Sequence, residues 1–266
     1  MTHWLHVRRA DTPLILAFPH GGTAIPDDLL GAFRSRWWAI RDADWHIRQL
    51  YDGLADATMI WNDMSRSVID CNRDPSGASL YPGQATTGLC PTETFDGEPL
   101  YRDGATPDIA ARRAAWFTPY HAAIEAEIAR LRAHHPRVVL YDCHAIRSRI
   151  PRLFDGELPE LNIGTDGGAT CAPALSEAVV AACRGRSHIL NGRFRGGWTT
   201  RHYGRPEEGV HAIQMEIAMR AYLDEPPDEP DEHNWPPVWN PARAAPLRAD
   251  LERILAAVTA FAKDQT

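Results

Sequence analysis

Two short apolar runs, each closed by a histidine, constrain this chain more than any other feature. LILAFPH (residues 14–20) and VVLYDCH (residues 138–144) are apolar and short enough to be central strands of a sheet. In an open α/β sheet, parallel strands end on one edge, and that edge is where such folds bind what they act on. His20 and His144 are therefore placed to converge. One histidine after a strand is an ordinary loop residue, but two at the ends of two such strands are more specific. Gly21 and Gly22, directly after His20, leave room beside it.

The intervening segments alternate as an α/β domain requires. Helices are expected from about Asp27 to Trp38, over WHIRQLYDGLAD with Asp44 as cap, and from about Pro107 to His134 with a bend near Pro119. Two more are expected over CAPALSEAVVAACRG and PARAAPLRADLERILAAVTAFAKD. Further strands are expected at Thr58–Trp61, Ser67–Asp70 and His188–Leu190. From NRDPSG to about Gly104 the chain is rich in Gly, Pro and Thr and has no period. That reads as a long loop of the kind that is more often functional than idle. The acidic, proline-rich DEPPDEPDEHNWPPVWNP reads as a surface connection, with too little chain after it to fold alone. The expectation is one domain over residues 1–266, built on a mixed, mostly parallel sheet with helices on both faces.

Composition narrows the partners. The chain has 266 residues, 44% of them hydrophobic and 24% charged, as in a globular protein with a sizeable core. A net charge of −7 without a basic stripe argues against nucleic acid as the main partner. No apolar run approaches the length of a bilayer span, and MTHWLHVRRADTP has no signal-peptide core. The five cysteines are an odd number without CxxC spacing, which argues against both a disulfide framework and a four-cysteine zinc site. Reduced thiols in the cytoplasm are the expectation.

The chemistry is expected where the histidines meet. Neutral imidazole is the commonest zinc ligand, and a catalytic zinc takes three protein groups and leaves a position for water. The third group is to be sought among Asp44, Asp42 and His46 of RDADWH, and then Asp142. Asp44 also fits as a helix cap, and Asp142 as the partner of a neighbouring imidazole. SRSVIDCNRDP adds Arg66, Asn72 and Arg73. HAIRSRIPRLFDG adds Arg147, Arg149 and Arg152, and NGRFRGGWTTRHYGRP adds Arg193, Arg195, Arg201 and Arg205. So many planar guanidinium forks near metal-ligand candidates, in an acidic chain, point to a local anion site. In VHAIQMEI, read as a strand, Gln214 and Glu216 face one side and Ile213, Met215 and Ile217 the other. A glutamate between Met215 and Ile217 needs a partner or a task; facing a water it can serve as general base.

FPHGGTAIP, DADWHIRQLYD, SRSVIDCNRDP, YDCHAIRSRIPRLFDG, LNIGT and NGRFRGGWTTRHYGRPEEGVHAIQMEIAMRAYLDE, in this order, resemble the N-formylglutamate amidohydrolase family from about Leu14 to Glu225. The resemblance implies a phosphorylase/hydrolase-like, zinc-exopeptidase-like fold with a metal at the sheet edge. It also implies cleavage of N-formyl-L-glutamate to formate and glutamate, a late step in one route of histidine breakdown. On that basis His20, Asp44 and His144 are expected to hold one Zn²⁺, with other divalent metals as alternatives, Glu216 to be the base and Arg66 the oxyanion donor. Asn72 with Arg73 is expected to grip one substrate carboxylate, and Arg201 with Arg147 the other. Three positions depart from the expected pattern: Thr23 stands where the exopeptidase relatives carry a glutamate, and Gly21 and Ala145 stand where serine is usual. The competing expectations are a metallo N-acyl amino-acid hydrolase or exopeptidase with another substrate, and a non-catalytic carboxylate-binding module.

Overall fold

Alternate residues of each strand are apolar on both sides, so the sheet they form needs cover on both faces. The computed structural model describes residues 4–79, 82–227 and 229–264, so residues 80 and 81 of the long loop lie outside the described residues. The strands are β1 (Leu5–Arg8), β2 (Leu14–Phe18), β3 (Thr58–Asn62), β4 (Val138–Ile146), β5 (Leu161–Gly164), β6 (His188–Leu190) and β7 (Val210–Ala218). They make one sheet in the order β1-β3-β2-β4-β7-β5-β6. β3, β2, β4 and β7 run parallel, β1 is antiparallel to β3, and β5 is antiparallel to β7. The mixed, mostly parallel sheet of the sequence reading is the one observed.

The period-2 alternation sorts side chains into two cores. Leu14, Leu16, Tyr141, Cys143, Ile213 and Met215 face helices α3 (Ile47–Tyr51), α6 (Pro173–Ala182) and α8 (Pro241–Lys263). Ile15, Ala17, Leu140 and Ala212 face α5 (Thr118–Arg132) and Tyr203 of α7 (Trp198–Tyr203). In each case fully buried apolar side chains of the sheet meet apolar stripes of the helices, each leucine, isoleucine or methionine contributing about 1.5–3 kcal/mol relative to exposure.

Several local expectations are corrected. The single helix over Asp27–Trp38 is two short ones, α1 (Asp27–Leu30) and α2 (Arg36–Ile40). Gly31 ends the first, and the Ser35 side chain accepts from Trp38 N to start the second. Ser67–Asp70 is not a strand. Ser65 O accepts from Val68 N and Ser65 Oγ from Ser67 N, so serine turn chemistry overrides the apolar pair Val68–Ile69. The bend near Pro119 is a π-helical turn, Arg113–Phe117, between α4 (Ile109–Arg112) and α5. Helix α3 begins only at Ile47, after His46 in the left-handed region, and Asp44 does not cap it with its side chain.

One buried histidine ties α5 to the segment that follows Asp70. His121 Nε2 donates to Cys71 O at 2.8 Å, and Nδ1 lies 2.9 Å from the Tyr203 hydroxyl. Burial lowers its pKa from 6.5 to about 4. Below pH 6.5 the unfolded chain takes up a proton that the folded chain refuses. The contribution is therefore complete above the unfolded pKa and is lost as pH falls toward 4. The loss is about 3 kcal/mol at one pKa unit per ~1.4 kcal/mol. Urea unfolding followed between pH 7 and 4 is expected to show this slope in the wild type and a shallower one in His121→Gln.

Candidate active site

The register of β4 and β7 builds the floor of the site. Asp142 pairs with Gln214 and His144 with Glu216 across the two parallel strands. Because the residues between them fill the first core, these four polar side chains share the other face. His20 arrives from β2 after Pro19. Asp44 is drawn to the same place by its backbone: Asp44 N donates to His20 O at 3.0 Å, and Ala145 N donates to Asp44 Oδ2 at 3.0 Å.

His20, Asp44 and His144 are all buried, and one ligand atom of each lies within 4.8 Å of the others. His20 Nδ1 is 3.2 Å from His144 Nδ1, and Asp44 Oδ2 is 3.3 Å from His144 Nδ1 and 3.8 Å from His20 Nδ1. Ligand atoms at about 2.0–2.1 Å from a tetrahedral zinc stand about 3.3 Å apart, so the set is spaced as such an ion needs. The outer partners orient it. Asp70 Oδ1 is 2.7 Å from His20 Nε2, and Asp142 Oδ1 approaches His144 Nε2 to 3.0 Å, outside hydrogen-bond alignment. The Asp70 carboxylate favours the proton on His20 Nε2, which leaves the His20 Nδ1 lone pair toward His144 and Asp44, while His144 Nε2 faces both Asp142 and the Asn72 amide. Two imidazole nitrogens and a carboxylate converging in a buried spot form a donor set that fits a divalent cation.

The electrostatics follow from burial and near neighbours. Burial, reinforced by the Arg66 charge, lowers the His20 pKa to about 4. For His144, burial opposes the charge, but Asp142 and Asp44 outweigh it and raise the pKa. Burial likewise works against the Asp44 and Asp70 carboxylates. The His144 hydrogen bond, His20 and Arg66 hold Asp44 low, while Arg73, His20 and Arg66 hold Asp70 lower still. Glu216 is the opposite case: burial pushes it up to about 8, the His144 charge only partly offsets this, and Asp44 adds to the rise.

One pocket is lined by His20, His144 and Glu216 together with Arg66, Asn72 and Arg73. Arg66 is bound to Asp70 (2.8 Å) and Asp44 (3.3 Å) and lies over the Phe95 ring. The Asn72 amide donates to Asp142 Oδ2, sits 2.9 Å from His144 Nε2 and accepts from Thr199 N. Arg73 is held by Thr87 O and Thr87 Oγ1. The structure does not bring Arg147 or Arg201 to this pocket. Arg147 is buried against Asp96 and Asp42 and lines a separate groove. Arg201 donates to Gly196 O and lies 3.5 Å from Asp166.

Three residues near the site had no role in the sequence reading, and a fourth, Arg193, was counted there only among the arginines of an anion site. Asp70 orients His20, Phe95 supports Arg66, Gln214 accepts from Gly197 N, and Arg193 lines the pocket. Asp70 carried a legible signal, an acid between the apolar Ile69 and Cys71. The glycines of FRGGW serve close approach: a Cβ on Gly197 would stand 2.3 Å from Asn72 Nδ2.

Residues 12–223 match the model of the N-formylglutamate amidohydrolase family, a span that includes every site residue named above. The chain belongs to the N-formylglutamate amidohydrolase family. Among its curated relatives, an N-formylglutamate deformylase of Pseudomonas aeruginosa is 46% identical over 233 residues, covering 85% of this chain and 87% of the relative. An N-formylglutamate deformylase of Pseudomonas putida is 39% identical over 262 residues, covering 95% and 94%. In fold, the chain superposes on an N-formylglutamate amidohydrolase from Ralstonia eutropha JMP134 with a TM-score of 0.77 at 22% identity, covering 97% of this chain and 98% of that one. Family membership covers β2 through β7, the strands that carry the histidines and Glu216.

Proposed function

We propose that this protein is a metal-dependent amidohydrolase that cleaves N-formyl-L-glutamate to formate and L-glutamate, as in histidine breakdown. The observation that carries the reading is the meeting of His20, Asp44 and His144 with Glu216 in a pocket lined by guanidinium groups. His20, Asp44 and His144 would hold the cation, with zinc the best fit to two imidazoles and a carboxylate. Bound there, it supplies Lewis acidity and brings a water toward a pKa of about 7. Glu216, on the next strand to His144, removes a proton from the attacking water. The water oxygen bonds to the formyl carbon, and Arg66 donates to the oxygen that becomes negative. Glu216 then delivers the proton to the amide nitrogen as the C–N bond breaks. Arg73, with the Asn72 amide beside it, binds one substrate carboxylate.

The substrate class is a small anionic N-acyl amino acid. No helix among the described residues is long and apolar enough to cross a membrane. The five cysteines are buried free thiols, which agrees with a cytoplasmic location. The test is formate release from N-formyl-L-glutamate by untagged protein before chelation, after it, and after zinc is restored. Activity is expected to vanish and return. Activity that survives thorough chelation removes the cation from this reading. Release from N-acetyl or dipeptide substrates instead of the N-formyl one replaces the substrate.

A further inference from the structure

We propose that a second ligand site, for a free α-amino acid, lies at the opposite end of the sheet from the pocket described above. Strand β7 runs between the two: Glu216 pairs with His144 near its carboxyl end, and His211 pairs with Val139 near its start. That stretch of strand is about 16 Å long. His211 lines a cavity of about 720 Å³, within the usual range for small-molecule sites, where α5, the start of α6, the turn before β7 and the end of α8 meet. His211 is 4% exposed, and its Nδ1 accepts from Ala172 N at 3.1 Å, so the neutral ring carries its proton on Nε2. Burial and the charges of Arg137 and Arg132 keep the ring neutral by lowering its pKa. Nε2 makes no hydrogen bond among the described residues and is not sealed off, so its N–H opens on the cavity. A buried donor without a protein partner marks a place for an acceptor.

The charges around that donor select the ligand. Arg132 lines the same cavity, lies against Gly209, where a Cβ would stand 3.0 Å from its Cζ, and donates to His135 O. It makes no ion pair with a carboxylate among the described residues. Helix α6 turns its positive end to the same space, starting at Pro173 with Ala172 and Ala174 on the wall and no capping side chain. Imidazole N–H, guanidinium and helix end together suit one carboxylate. Glu207 and Glu208 also border the cavity, directly before Gly209. Both are exposed and make no ion pair among the described residues, and the charges felt by His211 are those of the arginines. Two carboxylates at the border disfavour a phosphate dianion and suit an ammonium group. A carboxylate and an ammonium on one carbon are the common part of every free α-amino acid. The Phe261 ring, at right angles to His211, offers an apolar wall for a side chain. Arg137 and Asp264 also line the cavity but are engaged within the protein, so neither is counted.

The test follows the His211 imidazole of the full chain by NMR, its signal assigned by its loss in His211→Gln, during titration with L-alanine, acetate or inorganic phosphate. L-Alanine is expected to shift the His211 signal saturably and to bind about tenfold more tightly than acetate, the worth of one added charged contact. Arg132→Gln is expected to weaken L-alanine binding about 10–10²-fold, the range for one charged hydrogen-bonding partner. Glu207→Gln combined with Glu208→Gln, two exposed changes that spare the core, should bring L-alanine down to the level of acetate and leave acetate no weaker. This pair decides the question even where Arg132→Gln fails to fold. Acetate binding as tightly as L-alanine, or phosphate binding more tightly, overturns the amino-acid assignment. A His211 signal that none of the three ligands moves overturns the site itself.

Discussion

Replacing Glu216 by glutamine is expected to lower kcat for deformylation by about 10²–10⁴-fold, the range for loss of a positioned acid–base group. Glutamine keeps the volume of the side chain and the extended backbone of β7, where Glu216 pairs with His144. The change leaves His20, Asp44 and His144, the proposed cation donors, untouched, so metal content should match that of the wild type. KM should also change little, because the carboxylate acts on the proton rather than on the substrate's charged groups. Formate release and metal analysis on the same preparation check both halves. Near-normal turnover in Glu216→Gln would mean that another group carries the proton.

The second large effect concerns stability. Asp96→Ala is expected to cost about 3 kcal/mol, the lower end of the range for removing one partner of a buried ion pair. Asp96 Oδ2 is 2.7 Å from Arg41 and 2.5 Å from Arg147, whose side chains are 1% and 7% exposed. Removing it leaves Arg41 and Arg147 without their shared partner, with Asp42, 3.6 Å from Arg147, as the remaining ion pair of the two among the described residues. The cluster has little slack: Arg41 Nε, Arg147 Nε and Asp42 Oδ1 make no hydrogen bond among the described residues. Asp96 is itself 19% exposed, which is why the lower figure applies. Chemical denaturation measures the loss, and KM of the folded fraction should stay at the wild-type value. A raised KM with unchanged stability would return Arg147 to the substrate.

That contrast shows what could be read from the chain before the fold was known. His20, His144 and Glu216 were legible because strand ends and strand alternation are local properties. Apolar runs mark the strands, and parallel pairing places their ends together. Arg147 and Arg201 were not, because an arginine's role depends on which partner reaches it from afar. Asp96 lies 51 residues from Arg147 in the chain, and nothing near YDCHAIR announces it. Strand β5, LNIG, was missed as a strand for a similar reason: four residues give too little period, and its antiparallel pairing with β7 decides its state. At Ser67–Asp70, Ser65 outcompeted a plausible apolar pattern, a case of turn chemistry prevailing over hydrophobicity.

The strand order has a consequence for how this molecule comes into being. β2 pairs with β4, setting Leu16 beside Tyr141, while β4 pairs with β7 across a shorter but still long stretch of chain. Closing such wide loops costs entropy before any contact compensates, so folding is slow compared with a helical bundle. During synthesis His20, Asp44 and His144 all leave the ribosome before Glu216 does. On the proposed reading, the emerging chain carries its cation donors ahead of its proton carrier, and hydrolytic competence arrives only with the last central strand.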